Sequence, residues 1–326
     1  MRDGHAHDGG VEEVHGVRAL FFGTPKFSVP ALDALVEIAD VIGVVCQPDK
    51  PVGRGLKVAA PPVKERAEAL GIPVVQPTKL RTGDFAAWAR EQRADVALVI
   101  AYGRILPQDV LDAPRLGCVN VHASLLPKYR GAAPIAWAIV RGEKTTGITL
   151  MKMDAGMDTG DMLATYETAI GPDETAGELA ERLSALGARA VREGLPRFVR
   201  GELAATPQDH ARATTAPLLE KETGRIDWTK PENEIHDHVR GMNPQPMAFT
   251  IAREKRVIVH RTKRVDGTVS RETQPGEIVI ADKTRVIVAC GRGLIELERV
   301  QLEGKKPVRG AEWFLGRGIA ERDVLG

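Results

Sequence analysis

The sequence predicts an α/β protein, a parallel sheet covered by helices and followed by a smaller β-barrel. Three observations carry this. From Arg18 to about Arg200, short β-rich runs alternate with helical stretches, as in a sheet whose strands are joined by crossover helices. Beyond Glu222 the alternation gives way to five short β-rich runs separated by turns, the spacing of a small closed barrel. At 326 residues the chain also exceeds what one hydrophobic core usually supports, so two domains are expected.

The strands of the first region are read at Ala19–Phe22, Asp40–Val45, Val74–Val75, Asp95–Ile100 and Cys118–His122, where β-branched and apolar residues cluster. Helices are read at Ser28–Glu37, Val63–Leu70 and Asp84–Arg93. The second opens after Pro61-Pro62 and closes at Gly71, which are start and stop signals. Two apolar-alternating runs, Gly147–Met153 and Met162–Ile170, precede a long helix from Ala176 to about Arg200, with Asp173 and Glu174 at its positive end. The set makes a Rossmann-like, mononucleotide-binding half-sheet over residues 17–205. From residue 201 periodicity fades into Thr, Ala and Pro, and residues 206–222 read as a linker. In residues 223–326 a helix at Pro231–Arg240 leads into runs at Ala248–Ala252, Arg256–Thr262, Glu277–Ala281, Arg285–Ala289 and Ile295–Leu302, an OB-like barrel.

Composition narrows the function classes. No run reaches the roughly 18 apolar residues that span a bilayer, and residues 1–16 lack a signal-peptide core and read as a disordered extension outside the fold. A cytoplasmic protein with no membrane partner is expected. Cys46, Cys118 and Cys290 are dispersed, odd in number and form no C-x-x-C pair, which argues against disulfides and a zinc site, so no metal is expected. Residues 1–222 hold 26 basic and 29 acidic side chains, a net −3, whereas residues 223–326 hold 19 and 15, a net +4. The rear tilt suits a polyanionic partner.

The chemistry concentrates in Asn120-Val121-His122-Ala123-Ser124-Leu125-Leu126-Pro127. Residues i and i+2 of a strand share a face, and open α/β sheets bind ligands at the carboxyl ends of their strands. Asn120 and His122 would therefore point together into that crevice and donate hydrogen bonds to a developing oxyanion. The loop Asp154-Ala-Gly-Met-Asp158-Thr-Gly-Asp161 can bring a carboxylate to the imidazole, orienting the ring and favouring its protonated form. Spacing does not choose among Asp154, Asp158 and Asp161.

The stretch Asn120 to Ile135, NVHASLLPKYRGAAPI, resembles the signature of the folate-dependent formyltransferases, specifically the methionyl-tRNA formyltransferase family. The resemblance continues through Thr146–Asp161, Phe22–Pro25, Gln47–Gly55, Gly224–Trp228 and Asn243–Pro246, and so covers the chain from about Arg18 to its end. It implies transfer of the formyl group of 10-formyltetrahydrofolate to the amino group of methionyl initiator tRNA. It implies a catalytic triad of Asn120, His122 and Asp158, with Asp154 and Asp161 as supporting loop residues. No covalent enzyme intermediate is required, consistent with the lack of a convincing nucleophile.

Ser124, Leu125, Leu126 and Pro127 resemble the family's folate-binding stretch, and Ala101-Tyr102-Gly103 would wall the same pocket. The first strand is followed by Gly23-Thr24-Pro25, without the glycine pattern of a dinucleotide site. The loop from Asp49 to Lys57 carries Lys50, Arg54 and Lys57; its similarity to the family's tRNA-gripping loop implies that Arg54 reaches the end of the acceptor stem. Cations of the second domain, among them Arg253, Lys255, Arg256, Arg261, Lys263 and Arg264, would meet phosphates. Gln245 replaces an aromatic residue common in the family, which weakens the case for base stacking there. A monomer is expected. The triad alone also fits a formyltransferase for sugar-nucleotide amines or a formyltetrahydrofolate hydrolase. A non-catalytic RNA-binding module is the reading from a different class.

Overall fold

The computed structural model describes residues 16–52, 57–268, 270 and 272–326. The expected extension at 1–16 therefore lies, but for Gly16, outside the described residues, as does Arg54. The chain divides into two compact units. The first comprises Met1–Gly131, Gly147–Glu167 and Glu181–Thr215, and the second Ala132–Thr146, Thr168–Ala180 and Ala216–Gly326.

The elements run Arg18–Gly23 (β1), Val29–Ile38 (α1), Asp40–Val45 (β2), Lys50–Val52 (β3), Lys57–Ala59 (β4), Pro62–Ala69 (α2), Val74–Val75 (β5), Asp84–Glu91 (α3), Val96–Ile100 (β6), Gln108–Leu111 (α4) and Cys118–His122 (β7). Pro134–Val140 (α5), Thr145–Lys152 (β8), Met162–Ala169 (β9) and Ala176–Val199 (α6) follow. The sheet order is β5-β2-β1-β6-β7-β8-β9. Its pairs from β5 through β7 are parallel, while β8 runs antiparallel to β7. Strands β6 and β7 are buried along their whole length, as central strands of a helix-covered parallel sheet are; β6 is a continuous apolar run, while β7 carries Asn120 and His122 between its apolar residues. The chain turns back between β1 and β6, and that reversal opens a crevice at the carboxyl ends. Three hydrogen bonds tie its floor: Ser28 Oγ to the Ile100 carbonyl at 2.8 Å, and Thr24 Oγ1 and Gln47 Nε2 to the Tyr102 carbonyl at 3.1 and 3.0 Å.

The second unit carries Glu232–Gly241 (α7), Ala248–Ala252 (β10), Lys255–Val265 (β11), Ile278–Ala281 (β12), Val286–Ala289 (β13), Leu294–Leu302 (β14), Val308–Arg309 (β15) and Gly310–Leu315 (α8). Its strands are antiparallel in the order β10-β11-β14-β13-β12, with β15 beside β14. Alternate residues of β11 and β14 turn inward, and Val257, Val259, Ile295, Leu297 and Val300 pack with Trp228 and Trp313 into one core. Helix α5 lies against α7, and Gly241 permits the approach: a Cβ there would meet Val140 Cγ2 at 2.6 Å. Among the described residues no helix is long and apolar enough to cross a membrane.

Candidate active site

Strand β7 ends at the crevice, and the i, i+2 spacing puts Asn120 and His122 on one face of it. Both side chains are buried, at 9% and 6% exposure. The loop between β8 and β9 folds back so that Asp158 meets both. Its Oδ1 lies 3.4 Å from Asn120 Nδ2 and 3.6 Å from His122 Nδ1. Its Oδ2 accepts the Gly131 N–H at 2.8 Å. The far ring nitrogen of His122, Nε2, faces the Tyr129 carbonyl at 3.0 Å. A ring placed between two oxygen acceptors donates from Nε2 to the carbonyl and turns Nδ1 toward the carboxylate.

Two of these residues hold unusual backbone. Asp158 has φ +54° and Tyr129 φ +60°, left-handed conformations that side chains other than glycine rarely adopt. The supports are visible. Asp154 stabilises the loop from within: its Oδ1 accepts from Gly156 N at 3.0 Å and Thr159 Oγ1 at 2.7 Å. At Gly160 a Cβ would run into the Lys152 carbonyl, so only glycine passes there.

Ser124 is fully buried and its hydroxyl donates to the Lys128 carbonyl at 2.7 Å, which closes the loop that follows β7. Thr149 braces the same loop, donating to the Ser124 carbonyl at 2.7 Å and accepting from Leu126 N at 3.1 Å. Leu125 and Pro127 are half-buried and Leu126 is buried. Tyr102 is buried, edge-on to Phe22 at 5.5 Å between centroids, and burial pushes its phenol up to about 12. The Asn120, His122 and Asp158 side chains thus meet in the first unit, with 124–127 following directly on β7.

Periodicity did not point to Gln208. It lies in the segment between α6 and α7, only 5% exposed, and its amide reaches the Asp158 and Gly160 carbonyls at 2.9 and 2.7 Å. The same segment supplies Thr214, whose hydroxyl accepts from Tyr129 N at 2.9 Å. An irregular strap that bonds to loops carries no repeat that a sequence pattern can register.

The three thiols are buried and free, and burial raises them, Cys46 to about 11 and Cys118 and Cys290 to about 12. Thiols so raised are poor nucleophiles. In the second unit some cations are paired: Arg253 with Asp323 at 2.9 Å, Arg261 with Glu298 at 3.0 Å. Arg256 stacks over Phe249 at 3.7 Å from the ring centroid. Lys255, Lys263 and Arg264 lie exposed.

Residues 17–195 match the formyl transferase family and residues 218–318 the formyl transferase C-terminal domain. The methionyl-tRNA formyltransferase of Sorangium cellulosum is 57% identical over 310 residues, 95% of this chain and 100% of that protein. The methionyl-tRNA formyltransferase of Acetivibrio thermocellus is 49% identical over 311 residues, again 95% of this chain and all of that protein. Among solved structures, an N-formyltransferase from Helicobacter canadensis, in complex with folinic acid and dTDP-3-aminofucose, superposes with a TM-score of 0.67 at 16% identity, covering 86% of this chain and 98% of that one. At that identity the likeness speaks for the fold alone. The identity to the curated relatives over nearly their whole length, together with both family matches, places this chain in the methionyl-tRNA formyltransferase family.

Proposed function

We propose that the protein transfers the formyl group of 10-formyltetrahydrofolate to the α-amino group of methionyl initiator tRNA, yielding N-formylmethionyl-tRNA for translation initiation. The observation that carries the chemistry is the convergence of Asn120 Nδ2 and His122 Nδ1 on one oxygen of Asp158 at the carboxyl end of β7. Both contacts are long, so the Asn120 amide is not saturated, and Nδ1 becomes a second donor once the ring carries a proton on each nitrogen. An oxygen gaining negative charge between them would take up stronger bonds, which lowers the barrier to attack at the carbon that bears it.

The folate supplies an activated formyl group on nitrogen, and the chain's residues do the rest. Asn120 and His122 hold the formyl oxygen as it gains charge. Asp158 orients the ring and assists movement of the amine's proton toward the leaving nitrogen, through water. The apolar flanks of Leu125, Leu126 and Pro127 suit the flat face of a pterin, while backbone groups of the same loop can read its polar edge. Arg54 and the exposed cations Lys255, Lys263 and Arg264 are assigned to the tRNA, as contacts of largely sequence-blind character. We assign the protein to the cytoplasm as a monomer, with a catalytic and a tRNA-binding domain.

Incubation with a labelled formyl donor and either methionyl-tRNA, a sugar-nucleotide amine or water as acceptor tests the assignment. Label should appear on methionyl-tRNA at a rate at least about 100-fold above the other two, a gap of some 2.7 kcal/mol in transition-state binding. Preferential labelling of the sugar amine, or release of formate without acceptor, would replace this reading.

A further inference from the structure

We propose that Gln208 is a positioning residue for catalysis, one amide that locks the Asp158 loop to the loop following β7. The inference rests on the triad assigned above. Gln208 is 5% exposed, and every hydrogen-bonding position of its side chain is used. Its Nε2 donates to the carbonyls of Asp158 at 2.9 Å and Gly160 at 2.7 Å. Its Oε1 accepts from Arg130 Nη2 at 2.7 Å and Nε at 3.1 Å.

The two sides of that bridge are the two sides of the site. Asp158 holds φ +54°, which its surroundings must enforce, and the bond from Gln208 falls on the carbonyl of that same residue. Arg130 precedes Gly131, whose N–H fixes the Asp158 carboxylate at 2.8 Å. It also follows Tyr129, whose carbonyl holds His122. The Arg130 backbone is fastened to the strap as well, its N–H donating to the Thr214 carbonyl at 2.8 Å. One amide therefore sets both the backbone under the carboxylate and, through Arg130 and Gly131, the N–H that aims that carboxylate. Only an amide fits: leucine would leave two carbonyls without their donor and reduce the guanidinium to its contact with His210 Nδ1 at 3.1 Å, and glutamate would set a carboxylate oxygen against the two carbonyls.

The test is single-turnover formylation of methionyl-tRNA by the full chain, for the parent, Gln208→Leu, Gln208→Glu, Asp158→Ala and the Gln208→Leu/Asp158→Ala double variant. Gln208→Leu should slow the step about 30-fold with KM for both substrates within about three-fold, the effect of misaligning a reacting group and not of losing a binding contact. Gln208→Glu should be at least as slow. In the Asp158→Ala background Gln208→Leu should cost less than about three-fold more, since it acts through Asp158. An equal loss in both backgrounds, no loss in the single variant, or a loss confined to KM would overturn the proposal. If Asp158→Ala itself keeps the parent rate, the triad reading falls first and the positioning role with it. Should Gln208→Leu not fold, Arg130→Lys, which loses the two-pronged contact, replaces it: a loss of about five-fold that vanishes in the Asp158→Ala background supports the role, and a background-independent loss refutes it.

Discussion

Two buried histidines, one in each unit, lie against an aspartate, and their surroundings separate a ring whose bonds are all filled from one that we assign to catalysis. His236 on α7 meets the Thr262 hydroxyl with Nδ1 at 3.0 Å, and the Pro172 carbonyl and Asp173 Oδ1 with Nε2 at 3.3 and 3.1 Å. A hydroxyl can donate, so a neutral ring is fully satisfied there, and burial pushes the group below its ordinary 6.5. His122 has the Tyr129 carbonyl on one side and Asp158 on the other, both acceptors, with the carboxylate 3.6 Å away and shared with Asn120. A neutral ring cannot satisfy both. The same pair of residue types closes a network in one unit and, in the other, leaves the Nδ1 of a neutral ring facing a carboxylate to which it cannot donate.

That contrast can be broken most severely by exchanging each ring for glutamine. His122→Gln should reduce kcat by about 10³-fold, within the range for losing an oxyanion donor, whereas His236→Gln should stay within about three-fold. Equal activity losses would remove the distinction. Next in size, Gly160→Ala forces a methyl onto the Lys152 carbonyl and must shift the Asp158 loop. It should lower kcat by roughly 10- to 100-fold while leaving denaturant unfolding of the second unit's core unchanged.

The structural ring should announce itself in stability. His236→Ala removes one buried and one part-buried hydrogen bond and should cost about 1–3 kcal/mol in urea unfolding, with formylation per folded molecule preserved. The smallest effect is on pH. Burial lowers both His236 and His238, so the native state binds fewer protons than the unfolded one below the ordinary value of 6.5. Stability is then whole above that pH and declines as the pH falls through the window beneath it, by at most about 1.4 kcal/mol per pH unit per site. Melting curves from pH 7.5 to 5 should show the decline, and His236→Asn should flatten it; an unchanged slope would mean the ring is not held neutral.

Much of this architecture was open to reading in the chain. Strands such as Val96–Ile100 are continuous apolar runs, and the two-residue spacing of Asn120 and His122 means one face on any strand. Less was open in the loops. Asp154, Asp158 and Asp161 are equivalent by spacing, and they part company only through backbone: Asp158, in a left-handed turn, presents its carboxylate to the strand, while Asp154 bonds inside its own loop. Helix α5 leaves little signal because seven residues opening on a proline give too little of the 3.6-residue period. The β3–β4 pair is three residues a side, below what alternation can signal. Gln208 was hidden for a different reason: its bonds reach 48 and 50 residues back, to Gly160 and Asp158, and leave no local pattern.

The most direct test of the central claim is single-turnover formylation of methionyl-tRNA by Asn120→Ala, His122→Ala and Asp158→Ala variants whose folding is verified by their melting curves. The geometry predicts that each loses at least about 100-fold in rate, with folate binding retained. Folded variants that formylate at near the parent rate would contradict the account.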